Sequence, residues 1–361
     1  MIALLITLLI AGRPSHAEDA YETVGRRFTF LPLSGFSSDD GLGGGFRLAQ
    51  FDYDGSSVPY VQALSLQAFV TTKGKWAHLM SADFPHISPN SRLQMSLRYN
   101  KEETANFFGD LTDADLAGYT SDEKTFQQID VYFTLRWIRD LRKPWRLQIR
   151  LRVGSTLIDP HTGRSVITTI APLGFDGGHL AQFGGAIRYD TRDDYTISKS
   201  GRLQEVGIEW GVGGGADFNG GEISLEHRHF KMLNGQFVLA QRFYGTYTLG
   251  DVPFYERPEL GSSKTLRGLS ADRFRDDVRL LSNHEIRWLG VRLSKRHLMY
   301  GGLNAFSDVG QVLGRGKWPT SDWKVGLGLG IQLYWYSTIV RADYARAEGG
   351  SALYMRFHQN F

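Results

Sequence analysis

The 361-residue chain has no cysteine, which removes a disulfide framework, a thiolate metal site and a cysteine nucleophile together. Stability must then come from packing or from paired backbone. Proline is scarce, at 11 residues, so little interrupts long backbone ladders. Net charge is only +3, too small for a nucleic-acid footprint, and no nucleic-acid partner is expected. Beyond the N-terminus no run of about 18 apolar residues occurs, which excludes transmembrane helices. A mean hydropathy of −0.28 does not exclude transmembrane strands, whose alternating faces average to mild polarity.

Residues 1–17 read as a secretory signal peptide: the apolar run Ile2 to Ile10 is too short to anchor, and Ser15-His16-Ala17 offers a cleavage site before Glu18. Residues 18–26 then form a short periplasmic lead. What the remainder has in quantity is glycine, 42 residues, and aromatics, 13%, a composition suited to many strands joined by turns.

Segments of about ten residues alternate apolar and polar along the whole chain. In one, Ile129, Val131, Phe133, Leu135 and Trp137 oppose Gln128, Asp130, Thr134 and Arg136. In the next, Leu147, Ile149, Leu151 and Val153 oppose Arg146, Gln148, Arg150 and Arg152. Such arginines are costly against a dry core and natural against water, so Arg146, Arg150 and Arg152 are expected to line a lumen. Sixteen such segments are expected, at 27–36, 42–52, 59–71, 76–86, 91–101, 125–138, 145–158, 182–192, 202–213, 221–233, 236–248, 278–290, 297–310, 323–335, 338–346 and 351–361. The expected fold is therefore all-β, a 16-stranded antiparallel transmembrane β-barrel of the bacterial outer membrane spanning 27–361. An even count places both termini in the periplasm. A soluble β-sandwich would need dry inner faces, which the Arg, Gln and Glu faces deny.

The last segment places Leu353, Met355, Phe357 and Phe361 on one face. A terminal aromatic in phase with an apolar face resembles the assembly signal of bacterial outer-membrane proteins, carried here by Phe357 and Phe361, with polar Gln359 departing from it. Gly349-Gly350 leaves a short closing strand, expected to meet the first strand at a weak seam.

Four patches carry a more specific resemblance: Gly41-Leu42-Gly43-Gly44-Gly45; Arg188-Tyr189-Asp190-Thr191-Arg192-Asp193; Leu266-Arg267-Gly268-Leu269; and Asp308-Val309-Gly310. Together they resemble the BamA and TamA type of outer-membrane protein, the surface-antigen superfamily. The third is similar to the family's Val-Arg-Gly-aromatic motif, on a sixth extracellular loop that folds back into the lumen, here 249–277. Those relatives carry periplasmic POTRA modules, whereas this chain looks like a barrel-only member. The resemblance implies help with insertion or translocation of proteins or lipids at the outer membrane. Its implied partners are outer-membrane lipids, the barrel-assembly machinery for its own insertion, and an unidentified periplasmic partner or substrate protein. A passive channel, anion-leaning because of its lumenal arginines, and a non-transporting surface barrel are the alternatives.

The residues supply a mechanism for the loop independently of that resemblance. Glu285 and Asp308 fall on the inward parity of two adjacent strands, so a guanidinium from Arg267 could dock between them. Gly268 and Gly310 complete this expected loop–lumen contact. No constellation suggests catalysis, and no cofactor or metal is expected. His227 and His229 lack a third matched ligand, and Gly326, Gly328 and Gly330 lack the strand–turn–helix setting of a nucleotide loop, which points instead to close packing.

Overall fold

A computed structural model of the chain describes residues 24–361 apart from 58, 195–196, 216–217, 295–298, 336–337, 357–358 and 360. The expected signal peptide and Phe357 lie outside the described residues. Sixteen antiparallel strands close into one barrel. The first eight are β1 Val24–Ser37, β2 Gly41–Asp54, β3 Gln62–Thr71, β4 Trp76–Ser88, β5 Ser91–Asn106, β6 Thr125–Asp140, β7 Trp145–Pro160 and β8 Gly178–Asp190. The second eight are β9 Gly201–Val212, β10 Asn219–Met232, β11 Phe237–Asp251, β12 Val278–Ser294, β13 Met299–Leu313, β14 Lys324–Trp335, β15 Thr338–Ala347 and β16 Gly350–Arg356. Each expected segment corresponds to one of them.

Two boundaries differ in ways that matter. β1 begins at Val24, inside the expected 18–26 lead. Among the described residues β16 covers Gly350–Arg356, and Phe361 is outside any strand and buried beside Phe230 and Ala240, not turned to lipid.

Alternation sorts the wall into two chemistries. Along β9, Val206, Ile208, Trp210 and Val212 stand outward, while Leu203 is buried on the inner face. Lipid replaces water around the outer row, so apolar side chains there carry no penalty for exposure, and the ladder leaves no backbone group of the spanning wall to face hydrocarbon except at an open edge.

The three longest connections, 107–124, 161–177 and 252–277, all lie at the extracellular end. The connections 107–124 and 161–177 carry short helices, α1 Asp113–Leu116 and α2 Val166–Ile170. Phe107, Leu116, Phe126, Val166, Ile167 and Phe254 pack into one apolar cluster, which gathers these loops with the longest one, 252–277, over the barrel mouth. Within 252–277, Glu259–Leu260 pairs with Phe274–Arg275 as a two-stranded ribbon, and the segment between them enters the lumen.

Candidate functional site

The tip of loop 252–277 delivers Arg267 to the inner wall of β12 to β15. Its guanidinium forks onto Asp308, Nε donating to Oδ2 at 2.6 Å and Nη2 to Oδ1 at 2.7 Å. Nη1 reaches Glu285 at 2.8 Å and Asp343 at 3.3 Å. The Arg267 amide also donates to Asp308, at 3.1 Å. One face of the guanidinium lies 3.4 Å from the centre of the Phe306 ring, a cation–π contact. None of the charged side chains in this fork is exposed, so every donor must find its acceptor inside the protein.

The carboxylates are supported in turn. Arg341 donates to both oxygens of Glu285, at 2.7 and 2.9 Å, and to Asp343 at 2.7 Å. Arg287 donates to Glu285 at 2.7 Å, and Arg356 to Asp343 at 2.6 Å. Asn283 bridges Asp308 and the carbonyl of Thr265. Four guanidiniums thus face three carboxylates in one buried lattice. The expected pairing of Arg267 with Glu285 and Asp308 is present. Arg287, Arg341, Asp343 and Arg356 extend it, and only their inward parity on β12, β15 and β16 could have pointed to them.

Glycines make room for the loop. Gly268 has φ +99°, where a side chain is strained, and a Cβ there would sit 2.8 Å from the backbone of Ala347. On β14 a Cβ at Gly326 would lie 2.2 Å from the Arg267 carbonyl, and one at Gly328 2.2 Å from the Phe306 ring. A Cβ at Gly310 would meet Leu260 of the ribbon at 2.7 Å. Gly326 and Gly310 are contact surfaces for the loop, and Gly328 makes room for the Phe306 ring against which Arg267 lies.

The other expected residues lie elsewhere. Arg188, Tyr189, Asp190, Arg192 and Asp193 form the periplasmic end of β8 and the turn after it. Arg188 pairs with Glu205, Tyr189 stacks edge-on with Trp145 at 5.1 Å, and Arg192 forks back onto Asp190. Asp193 accepts the amides of Asp194, Lys199 and Ser200, which holds the turn closed. On β7, Arg146, Arg150 and Arg152 each meet a carboxylate, of Asp140, Glu209 and Glu256 respectively. Glu256 belongs to the loop, so Arg152 is a second anchor for it.

The end of the chain joins the same lattice. Gln359 accepts from Arg341 at 2.9 Å and donates to Gln332 at 2.8 Å, while Arg287 lies 5.2 Å from the Phe361 ring centre and donates to its carbonyl at 3.5 Å. The polar residue that departs from the expected signal is therefore a lumenal ligand of Arg341.

The seam between first and last strands is narrow. β1 pairs with β2 from Val24 to Ser37, but with β16, among the described residues, only at Phe36–Met355 and Ser37–Tyr354. Ser38 adds two bonds to Leu353: its amide donates to the Leu353 carbonyl at 3.2 Å, and its hydroxyl oxygen accepts from the Leu353 amide at 3.0 Å. From Val24 to Gly35 the edge of β1 has no β16 partner among the described residues.

The Omp85 superfamily domain matches residues 70–358. Among solved structures, BamA from Haemophilus ducreyi lacking POTRA domains 1–3 is similar with TM-score 0.65 at 13% identity, over 93% of this chain and 70% of that one. CdiB from Escherichia coli is similar with TM-score 0.63 at 9% identity, over 91% and 62%. CdiB from Acinetobacter baumannii has TM-score 0.58 at 11% identity, over 91% and 59%. None of the curated proteins matches.

Proposed function

Because the chain belongs to the Omp85 superfamily of outer-membrane barrels, we propose that it assists insertion or translocation of proteins or lipids there, through a seam that opens between β1 and β16. The two-residue pairing at that seam carries the reading. Among the described residues opening it gives up few hydrogen bonds, and the stretch of β1 with no described β16 partner is a ready template for an incoming strand. The buried lattice supports the same reading, since it holds the loop and β15–β16 rigid beside a yielding joint. Arg146, Arg150 and Arg152, from which an anion-leaning channel was expected, are each paired with a carboxylate.

The test replaces Phe36 and Met355 with cysteine in a chain that has no competing thiol. Facing residues of an antiparallel pair stand about 4.5–5.5 Å apart at Cα, within disulfide reach. The oxidised protein in proteoliposomes should fail to insert a second, unfolded barrel and should regain the activity on reduction. Equal insertion by both forms overturns the seam, as does steady ion conductance without insertion in either form.

A further inference from the structure

Loop and tail fill the β12–β16 side of the lumen, but the opposite wall holds a cavity of about 350 Å³ lined by side chains of β2 to β6. Its floor is a cross-strand row: Ser65 faces Ser81, Ser81 faces Ser96, and Ser96 faces Thr134. Two residues toward the extracellular end, the next inward row contains Arg47 on β2 and Arg98 on β5, in the register Arg47–Gln67–Leu79–Arg98. Two residues toward the periplasm, the row Asp83–Gln94–Arg136 brings in Arg136. Arg92 also lines the cavity and is paired with Asp83, the only carboxylate among the lining residues.

Arg47, Arg98 and Arg136 have no carboxylate partner among the described residues, and the one hydrogen bond found for the three runs from Arg47 to Ser65 at 3.4 Å. By contrast, Arg150, Arg188, Arg242, Arg287 and Arg341 on the inner wall are each matched to an acid. Here three converge on one hollow floored by hydroxyl donors, an arrangement that repels itself when empty and is complementary to a compact group with several anionic oxygens.

We propose that this cavity is a binding site for a phosphate-bearing ligand, held by Arg47, Arg98 and Arg136 over the Ser65–Ser81–Ser96–Thr134 row. Phosphate suits the site better than an acidic peptide, because its oxygens take guanidinium forks and hydroxyl bonds together within a small volume. The open edge of β1 adjoins β2, so a lipid headgroup can approach from the bilayer as well as free phosphate from solution.

The full-length protein in detergent is titrated calorimetrically, at constant ionic strength, with inorganic phosphate, with dihexanoyl phosphatidylglycerol and with a glutamate decapeptide. Saturable binding of a phosphate probe is expected, weakened about tenfold or more in R98Q/R136Q, since each lost fork removes charge-assisted bonds. R142Q, on an exposed periplasmic turn, should bind as wild type. S81A, which keeps every charge, should weaken binding less but measurably, and heat-dependent gel migration reports folding of each variant separately. Stronger binding of the lipid probe identifies a headgroup site, and equal binding a free-anion site. The proposal fails if neither phosphate probe saturates, if folded R98Q/R136Q binds like wild type, or if the peptide binds and the phosphates do not.

Discussion

Arg267 and Asp308 meet through two parallel bonds of 2.6 and 2.7 Å, with neither side chain exposed. A buried pair of this kind gains little over an apolar pair of the same shape, yet breaking it is expensive because the survivor stays charged and dry. Arg267→Ala should therefore destabilise the barrel by about 3–5 kcal/mol, read as a lower temperature for the shift from fast to slow migration in mild detergent gels. Arg267→Lys should fall between, since one ammonium cannot reproduce the fork. Lys264→Ala, exposed beside it, should change little. Arg273 is not a neutral control, because it pairs with Asp113 at 2.6 Å and lies over Phe274.

The pairing itself is tested by combining Arg267→Ala with Glu285→Ala. The double variant should lose less than the sum of the singles, by about 1–3 kcal/mol for groups in direct contact. Additive losses would mean that the 2.8 Å contact contributes nothing. Some non-additivity should also appear between Glu285→Ala and Arg341→Ala, because Arg341 donates to both Glu285 oxygens.

At the C-terminus, deleting Phe361 should lower outer-membrane assembly. Gln359→Leu should lower the stability of barrels that do assemble, because it takes an acceptor from Arg341 and a donor from the Gln332 oxygen, which keeps only Tyr334, in a buried site. Separating assembled yield from melting temperature distinguishes the two effects. Unchanged melting of Gln359→Leu would rule out the lumenal contact.

Glu259 links the loop to pH. Burial first, and then the charge of Asp272, pushes its carboxyl up to about 7, while Arg279 and Arg275 act the other way. The unfolded value lies near 4.3, so the docked loop holds a proton that the free loop releases. Docking should therefore be tightest below about pH 4.3 and weaken as pH rises through 7. Amide exchange at Leu260 and Phe274 should speed up across that range beyond its intrinsic rate. Glu259→Gln should abolish the extra acceleration, and an unchanged pH profile in that variant would refute the assignment.

The strands were legible because membrane and lumen impose opposite chemistry on alternate residues, a signal each segment carries within itself. Arg267, Glu285 and Asp308 were legible for the same reason, helped by a motif. The partners of Arg150 and Arg152 were not: Glu209 lies on β9 and Glu256 in the loop, and period-two alternation says which face a residue takes but not which distant residue it meets. The tail misled because Phe361 continues the outward parity of Leu353 and Met355, while Gln359 and Phe361 lie outside the strand that would keep that parity. Arg341 and Asp343 showed only as two more polar residues on an inward face.

Between Val325 and Ile331, β14 gives its large side chains to one surface only. Val325, Leu327, Leu329 and Ile331 all stand toward lipid, and Gly326, Gly328 and Gly330 present bare backbone inside. Over Gly326 the inner layer is the backbone of Arg267; over Gly328 and Gly330 it is Phe306, Asn304 and Asp343 of neighbouring strands, and Arg267 touches both Phe306 and Asp343, so this part of the wall is completed by a segment that enters it. That turns a static contact into an order of construction: β13, β14 and β15 can zip together as backbone, but their inner lining is unfinished until the loop has come in from above. A barrel that closes first, with its loop still outside, has a seam on one side and a hollow wall on the other.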